Sequence, residues 1–118
     1  EVGMDEVSPR GATEVWEVSE DGVSEWRLDP GALGFQEHDL AGLVGGAPTE
    51  NAARLEAILA GEEGGVGRDA LLLNAAVALY VAGRGWSMDE CVARARASLD
   101  GGAARAALER LRAAVPAT

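Results

Sequence analysis

The chain has 118 residues, 47% of them hydrophobic, and a formal net charge of −10 from 10 basic and 20 acidic side chains. That length fits one domain, and that apolar fraction belongs to a folded chain and not a disordered one. The acidic excess repels phosphate backbones, which argues against direct nucleic-acid binding, and it opposes anionic small molecules unless a cation intervenes.

Residues 1–11 read as a loop. It holds the adjacent carboxylates Asp5 and Glu6, between Gly3 and Ser8-Pro9-Arg10-Gly11. The start of the chain has neither a basic stretch nor an apolar run, so no signal peptide is expected. Residues 12–28 read as a β-hairpin. TEVWEV and VSEWRL both alternate, and the connector Ser19-Glu20-Asp21-Gly22 carries Asp-Gly. Trp16, Val18, Trp26 and Leu28 are expected on its buried side, with Glu17, Glu25 and Arg27 facing solvent.

Asp29-Pro30-Gly31 stops the second strand. Residues 31–47, rich in glycine, are expected to form a short helical turn plus loop. His38 lies there between Glu37 and Asp39. It reads as an exposed histidine with acidic neighbours, and a lone histidine makes a poor metal site.

Helices are expected over 48–115. Pro48 suits the first helical position, and Ala52, Leu55, Ile58 and Leu59 form one apolar stripe ending at Gly61. Glu62–Gly67 reads as a flexible link. Arg68-Asp69 opens ALLLNAAVALYVA, apolar nearly all round and therefore in need of neighbours on most sides. The run Ala70–Ala82 is interrupted by Asn74 and is too short to span a bilayer. Ser87-Met88-Asp89-Glu90 matches a capping box before a helix to about Leu99. Cys91, the only cysteine, lies in that helix, which favours plain packing; a chain without disulfides suits a reducing cytoplasm. Asp100-Gly101-Gly102 separates it from a last helix with Ala104, Leu108, Leu111 and Val115 on its apolar stripe and Arg105, Glu109 and Arg112 on the wet side.

A single hairpin is marginal by itself, and one hairpin with about four helices leaves apolar faces without partners. The sequence therefore reads as part of something larger. On composition and spacing alone, the Asp5-Glu6 pair is by default just solvated.

Three blocks change that reading. GMDEVS at Gly3–Ser8, GGAPTENA at Gly45–Ala52 and RDALLLNAAVALYVAG at Arg68–Gly83 occur in this order. With the hairpin and the Asp-Pro after it, they make residues 3 to about 115 similar to the C-terminal part of the anthranilate phosphoribosyltransferase family. The resemblance implies a C-terminal segment of a larger α/β domain, with residues 1–11 as a metal-binding loop, 12–28 as the hairpin and 48–115 as helices. It implies transfer of phosphoribose from phosphoribosyl pyrophosphate (PRPP) to anthranilate in tryptophan biosynthesis. It also implies that Asp5 and Glu6 hold a magnesium ion at the pyrophosphate. Magnesium takes oxygen ligands, keeps several waters and is usually held by one or two carboxylates plus substrate phosphates, so a bare pair suffices.

The family's glycine-rich phosphate loop and its anthranilate pocket lie upstream of the acidic block, in a missing N-terminal part. Nothing in 1–118 substitutes for them, so the segment is expected to be inactive alone. The complete enzyme is expected in the cytoplasm as a homodimer formed through a small helical domain. Ala47 departs from the family's frequent aspartate, a better helix cap. Ser8 is assigned no chemistry. Arg68, Asp69, Asn51 and Asn74 are expected to cap helices and satisfy backbone groups. Two other readings compete. A segment of a pyrimidine nucleoside phosphorylase shares the architecture but does not need the acid pair in this manner. A non-catalytic acidic module would instead cover its apolar helix with a protein partner.

Overall fold

The structure is a computed structural model that describes residues 3–115; the first two residues of the expected metal-binding loop lie outside this range. It contains one antiparallel hairpin, β1 (Thr13–Ser19) and β2 (Gly22–Leu28), and a single 3-10 turn over Leu40–Leu43. Four helices follow: α1 (Pro48–Ala60), α2 (Gly65–Val81), α3 (Met88–Asp100) and α4 (Ala103–Ala114).

Helix α2 is the axis of the molecule. Leu72, Leu73 and Ala76 are fully buried, with Leu28 of the hairpin on one side and Cys91, Val92, Ala95 and Leu99 of α3 on the other. Phe35 fills the same core from the loop after β2, and the Arg96 guanidinium of α3 lies 4.9 Å over its ring. Helix α3 begins as its sequence prescribes. The Ser87 hydroxyl accepts from the Glu90 amide at 3.3 Å, and the Glu90 carboxylate accepts from the Ser87 amide at 2.8 Å. Helix α1 ends at Gly61, whose φ of 77° only a residue without a Cβ adopts cheaply. The expected link at 62–67 is shorter than its composition suggests, because α2 already begins at Gly65. Packing of Gly67 against Ile58 and Arg54 of α1 gives this first turn a surface to form on.

The hairpin reverses one expectation. Its connector is two residues long, so Ser19 pairs with Gly22, Val15 with Trp26 and Thr13 with Leu28. Every odd-numbered residue of β1 thus shares a face with an even-numbered residue of β2. Trp16 and Val18 cannot lie beside Trp26 and Leu28; they stand on the opposite face, 63% and 78% exposed, with Val23 next to them. Glu17, expected in solvent, turns inward instead. Its carboxylate accepts the Trp26 indole N–H at 3.0 Å and the Tyr80 hydroxyl at 2.9 Å, and the two rings meet edge to face, 5.6 Å between centroids. A charge under the sheet is tolerated because two donors are waiting for it.

That arrangement has a titration signature. The hydrogen bond to Glu17, and then burial, push the Tyr80 hydroxyl above its ordinary value. Its protonated form is thus favoured by folding. The contribution to stability is complete below the unfolded value near 10 and is lost as pH rises through the folded one. Tyr80 is the only tyrosine, so absorbance of the phenolate reports it alone. The midpoint is expected above 10 in the native chain, and Glu17→Ala is expected to lower it.

The accessible surface, 7907 Å², is well above the roughly 6000 Å² typical of a compact protein of this mass. Exposed apolar side chains contribute to it: the outer face of the hairpin, Val81 at the end of α2, Leu55 on α1, Leu111 on the stripe of α4, and Val115, which the sequence placed in that helix but which follows its end in extended conformation. Among the described residues no helix is long and apolar enough to cross a membrane.

Candidate metal-binding site

Asp5 and Glu6 are both exposed on the loop that precedes the hairpin. Behind them the chain is anchored. Val7 packs against the core, Ser8 is buried, and Pro9 is among the most enclosed residues of the molecule. The Ser8 hydroxyl accepts from the Arg10 amide at 3.1 Å, closing a tight turn. The side-chain oxygen of Asn74, in the middle of α2, accepts from the Val7 amide at 3.0 Å, and its NH₂ donates to the Val7 carbonyl at 2.9 Å.

Glu6 stands at the edge of an open groove of about 480 Å³ between this loop, α1 and α2, lined also by Met4, Asn51, Arg54 and Asn74. Asn51 repeats the device of Asn74. Its amide bonds both the N–H and the C=O of Gly46, at 2.8 and 3.1 Å, and shapes the turn into α1. Glu50 accepts from the Ala47 amide at 2.7 Å, so this helix start keeps half of a capping box where Ala47 has no side-chain acceptor to offer. Arg54 is held by Glu63 at 2.6 Å.

Among the described residues, neither Asp5 nor Glu6 forms an ion pair, and no group of three or more His, Cys, Asp or Glu side chains could enclose a metal. Two adjacent exposed carboxylates are a fitting donor set for a hard cation that keeps water and takes phosphate oxygens as its remaining ligands. They would not suit zinc, which wants nitrogen or sulfur in a closed tetrahedron.

The other candidates behave as structural groups. His38 is not the exposed histidine expected. Its Nε2 lies 2.7 Å from the Asp69 carboxylate, both side chains mostly enclosed, and the pair ties the loop after β2 to the first turns of α2. Nothing in the local sequence points to it, since Glu37 and Asp39 are nearer in the chain. Arg68 bonds Asp100 at 2.5 Å and links α2 to the end of α3. Cys91 is fully buried, and burial, with a smaller contribution from Glu90, pushes its thiol up, the reverse of what a nucleophile requires. A larger groove of about 660 Å³ opens between α2 and α3, but its lining is apolar apart from Arg94, stacked 3.9 Å over Trp86, and Ser98.

The family model described as "Glycosyl transferase family, a/b domain" matches residues 1–105. The chain belongs to this glycosyl transferase family. It is 47% identical over 108 residues to the anthranilate phosphoribosyltransferase of Rubrobacter xylanophilus, covering 92% of this chain and 32% of that one. Two solved glycosyl transferases share the fold. The anthranilate phosphoribosyltransferase of Thermus thermophilus superposes with a TM-score of 0.80 at 41% identity over 92% of this chain and 32% of that one. The Saccharomyces cerevisiae enzyme, in complex with PRPP and Mg, superposes with a TM-score of 0.77 at 32% identity over 91% of this chain and 31% of that one. The chain thus spans about a third of the length of the relatives it matches, consistent with a C-terminal segment of the glycosyl transferase α/β domain.

Proposed function

We propose that the chain is the magnesium-binding and scaffold portion of an anthranilate phosphoribosyltransferase. It acts with an N-terminal portion that supplies the phosphate-cradling loop and the anthranilate pocket. The observation that carries this reading is the acid pair. Asp5 and Glu6 are exposed and free of ion pairs among the described residues, Glu6 at the edge of a groove, on a loop pinned to α2 in a chain 47% identical to a relative named for that activity.

In this reading Asp5 and Glu6 each offer carboxylate oxygens to magnesium. When bound, the ion sets fixed positive charge against the negative charge that grows on the departing diphosphate, which favours the transition state over the ground state. The pair also reconciles the acidic chain with an anionic substrate, which the bare protein would repel. The yeast neighbour, solved with PRPP and Mg, supports the choice of ion. The uncovered faces on the hairpin, α2 and α4 support a segment that packs against further structure. The complete enzyme would be a cytoplasmic homodimer that joins through a domain outside this chain.

The test is direct. The purified chain, given PRPP, anthranilate and magnesium, is expected to leave anthranilate fluorescence unchanged. Adding the N-terminal portion is expected to produce turnover. Consumption of anthranilate by the chain alone would overturn the segment reading, and a completed protein that never consumes it would overturn the activity.

A further inference from the structure

We infer that Asn74 is a positioning residue for the acid pair: its side-chain amide fixes the backbone at Val7, one residue beyond Glu6, and so sets where Asp5 and Glu6 present their oxygens. This rests on the magnesium reading above.

The geometry is a small two-way bridge between a helix and a loop. Asn74 accepts from the Val7 N–H at 3.0 Å and donates to the Val7 C=O at 2.9 Å, as a neighbouring strand would. Its second N–H donates to the Ala70 carbonyl one turn earlier on α2, also at 2.9 Å. Both donors are therefore committed, and the amide has a single workable orientation. Flipped, it would set its oxygen against two carbonyls and its NH₂ against an N–H. Asparagine is a weak helix former, and within the apolar run Ala70–Ala82 its amide serves to join Val7 to the helix. One donor holds the Val7 carbonyl beside the carboxylates, and the other ties the amide to its own helix at Ala70.

The consequence for a cation follows from geometry. Magnesium tolerates little deviation from an octahedron. Two adjacent side chains satisfy it only if the backbone that carries them is held still, and groups that orient ligands without touching the metal typically govern affinity by 10- to 100-fold. On one side of the pair stand Gly3, exposed at a φ of 67°, and Met4, half-buried at the groove. On the other stand Val7, bonded by Asn74, and the buried Ser8 and Pro9. Asn74 also lines the groove that Glu6 borders, so the restraint acts at the site itself.

The test compares Asn74→Asp, which keeps the shape and the acceptor but loses both donors, with Asn74→Ala, which leaves room for water at Val7. In the metal-free 118-residue chain, hydrogen–deuterium exchange at the Val7 amide is expected to accelerate at least about tenfold in Asn74→Ala, while amides in the centre of α3 keep their rates. In the completed enzyme, half-saturation by magnesium is expected to rise about tenfold or more in both variants, with KM for anthranilate nearly unchanged. On an Asp5→Ala, Glu6→Ala background, Asn74→Ala is expected to add no further shift. Unchanged Val7 exchange, or a lowered melting temperature with an unmoved magnesium titration, would make Asn74 a packing residue and overturn the inference. A magnesium titration insensitive to Asp5→Ala with Glu6→Ala would instead remove the underlying reading, whatever Asn74 does.

Discussion

Replacing Asp5 and Glu6 together by alanine is expected to slow the completed enzyme by roughly 10²–10³-fold, the usual effect of removing a preorganised charge from a transition state. The magnesium dependence is expected to flatten and move to higher concentration, because the remaining ligands would be water and substrate alone. Stability is expected to stay within about 0.5 kcal/mol of the parent, since both side chains are exposed and neither is in an ion pair among the described residues. That combination separates a functional loss from a folding one. A steady-state magnesium titration and a thermal melt on the same preparation check it. An unchanged titration curve would take the pair out of the site.

The largest expected effect on stability is at Leu73. It is fully enclosed in the middle of α2, among core residues supplied by α3, the hairpin and the loop after β2. Leu73→Ala is expected to cost about 3–5 kcal/mol through lost burial and the cavity left behind. Against a total of about 5–15 kcal/mol for a domain, this is a large share, and the melting temperature is expected to fall by about 10–25 °C. Val81→Ala on the same helix is the control. Val81 is 75% exposed, and its truncation is expected to change stability by no more than about 0.5 kcal/mol. Melts followed by circular dichroism decide both. A small effect at Leu73 would mean that α2 is not the centre of the core.

Much of the architecture was legible because it rests on local rules. Pro48 and Gly61 bracket α1, Ser87 and Glu90 start α3, and Gly101-Gly102 separates α3 from α4, each by chemistry that acts within one turn. The acid pair could be singled out because its block could be matched to a family, while its chemistry alone is that of any solvated loop. What escaped was set by distance or by parity. His38 meets Asp69 across 31 positions, and no neighbouring residue announces it. The roles of Asn51 and Asn74 as backbone satisfiers were foreseen in kind, but the partners, Gly46 and Val7, depend on how the loops come back to the helices. Each strand's alternation, taken separately, does not say which residues of the two strands share a face. Hydrophobicity favoured putting both tryptophans inside, and the length of the connector forbids it. Glu17 then fills the inward place because Trp26 and Tyr80 can donate to it.

The two-residue connector leaves one hairpin with indoles in two different media. Trp26 sits half-buried with its N–H bonded, and Trp16 looks into water from the opposite face. A quencher confined to the aqueous phase reaches Trp16 more readily than Trp26. Whatever comes to lie over that outer face, whether the remainder of a larger enzyme or a self-associating copy, shifts Trp16 emission toward the blue, with no label required. The fold therefore carries an intrinsic optical gauge of its own completion.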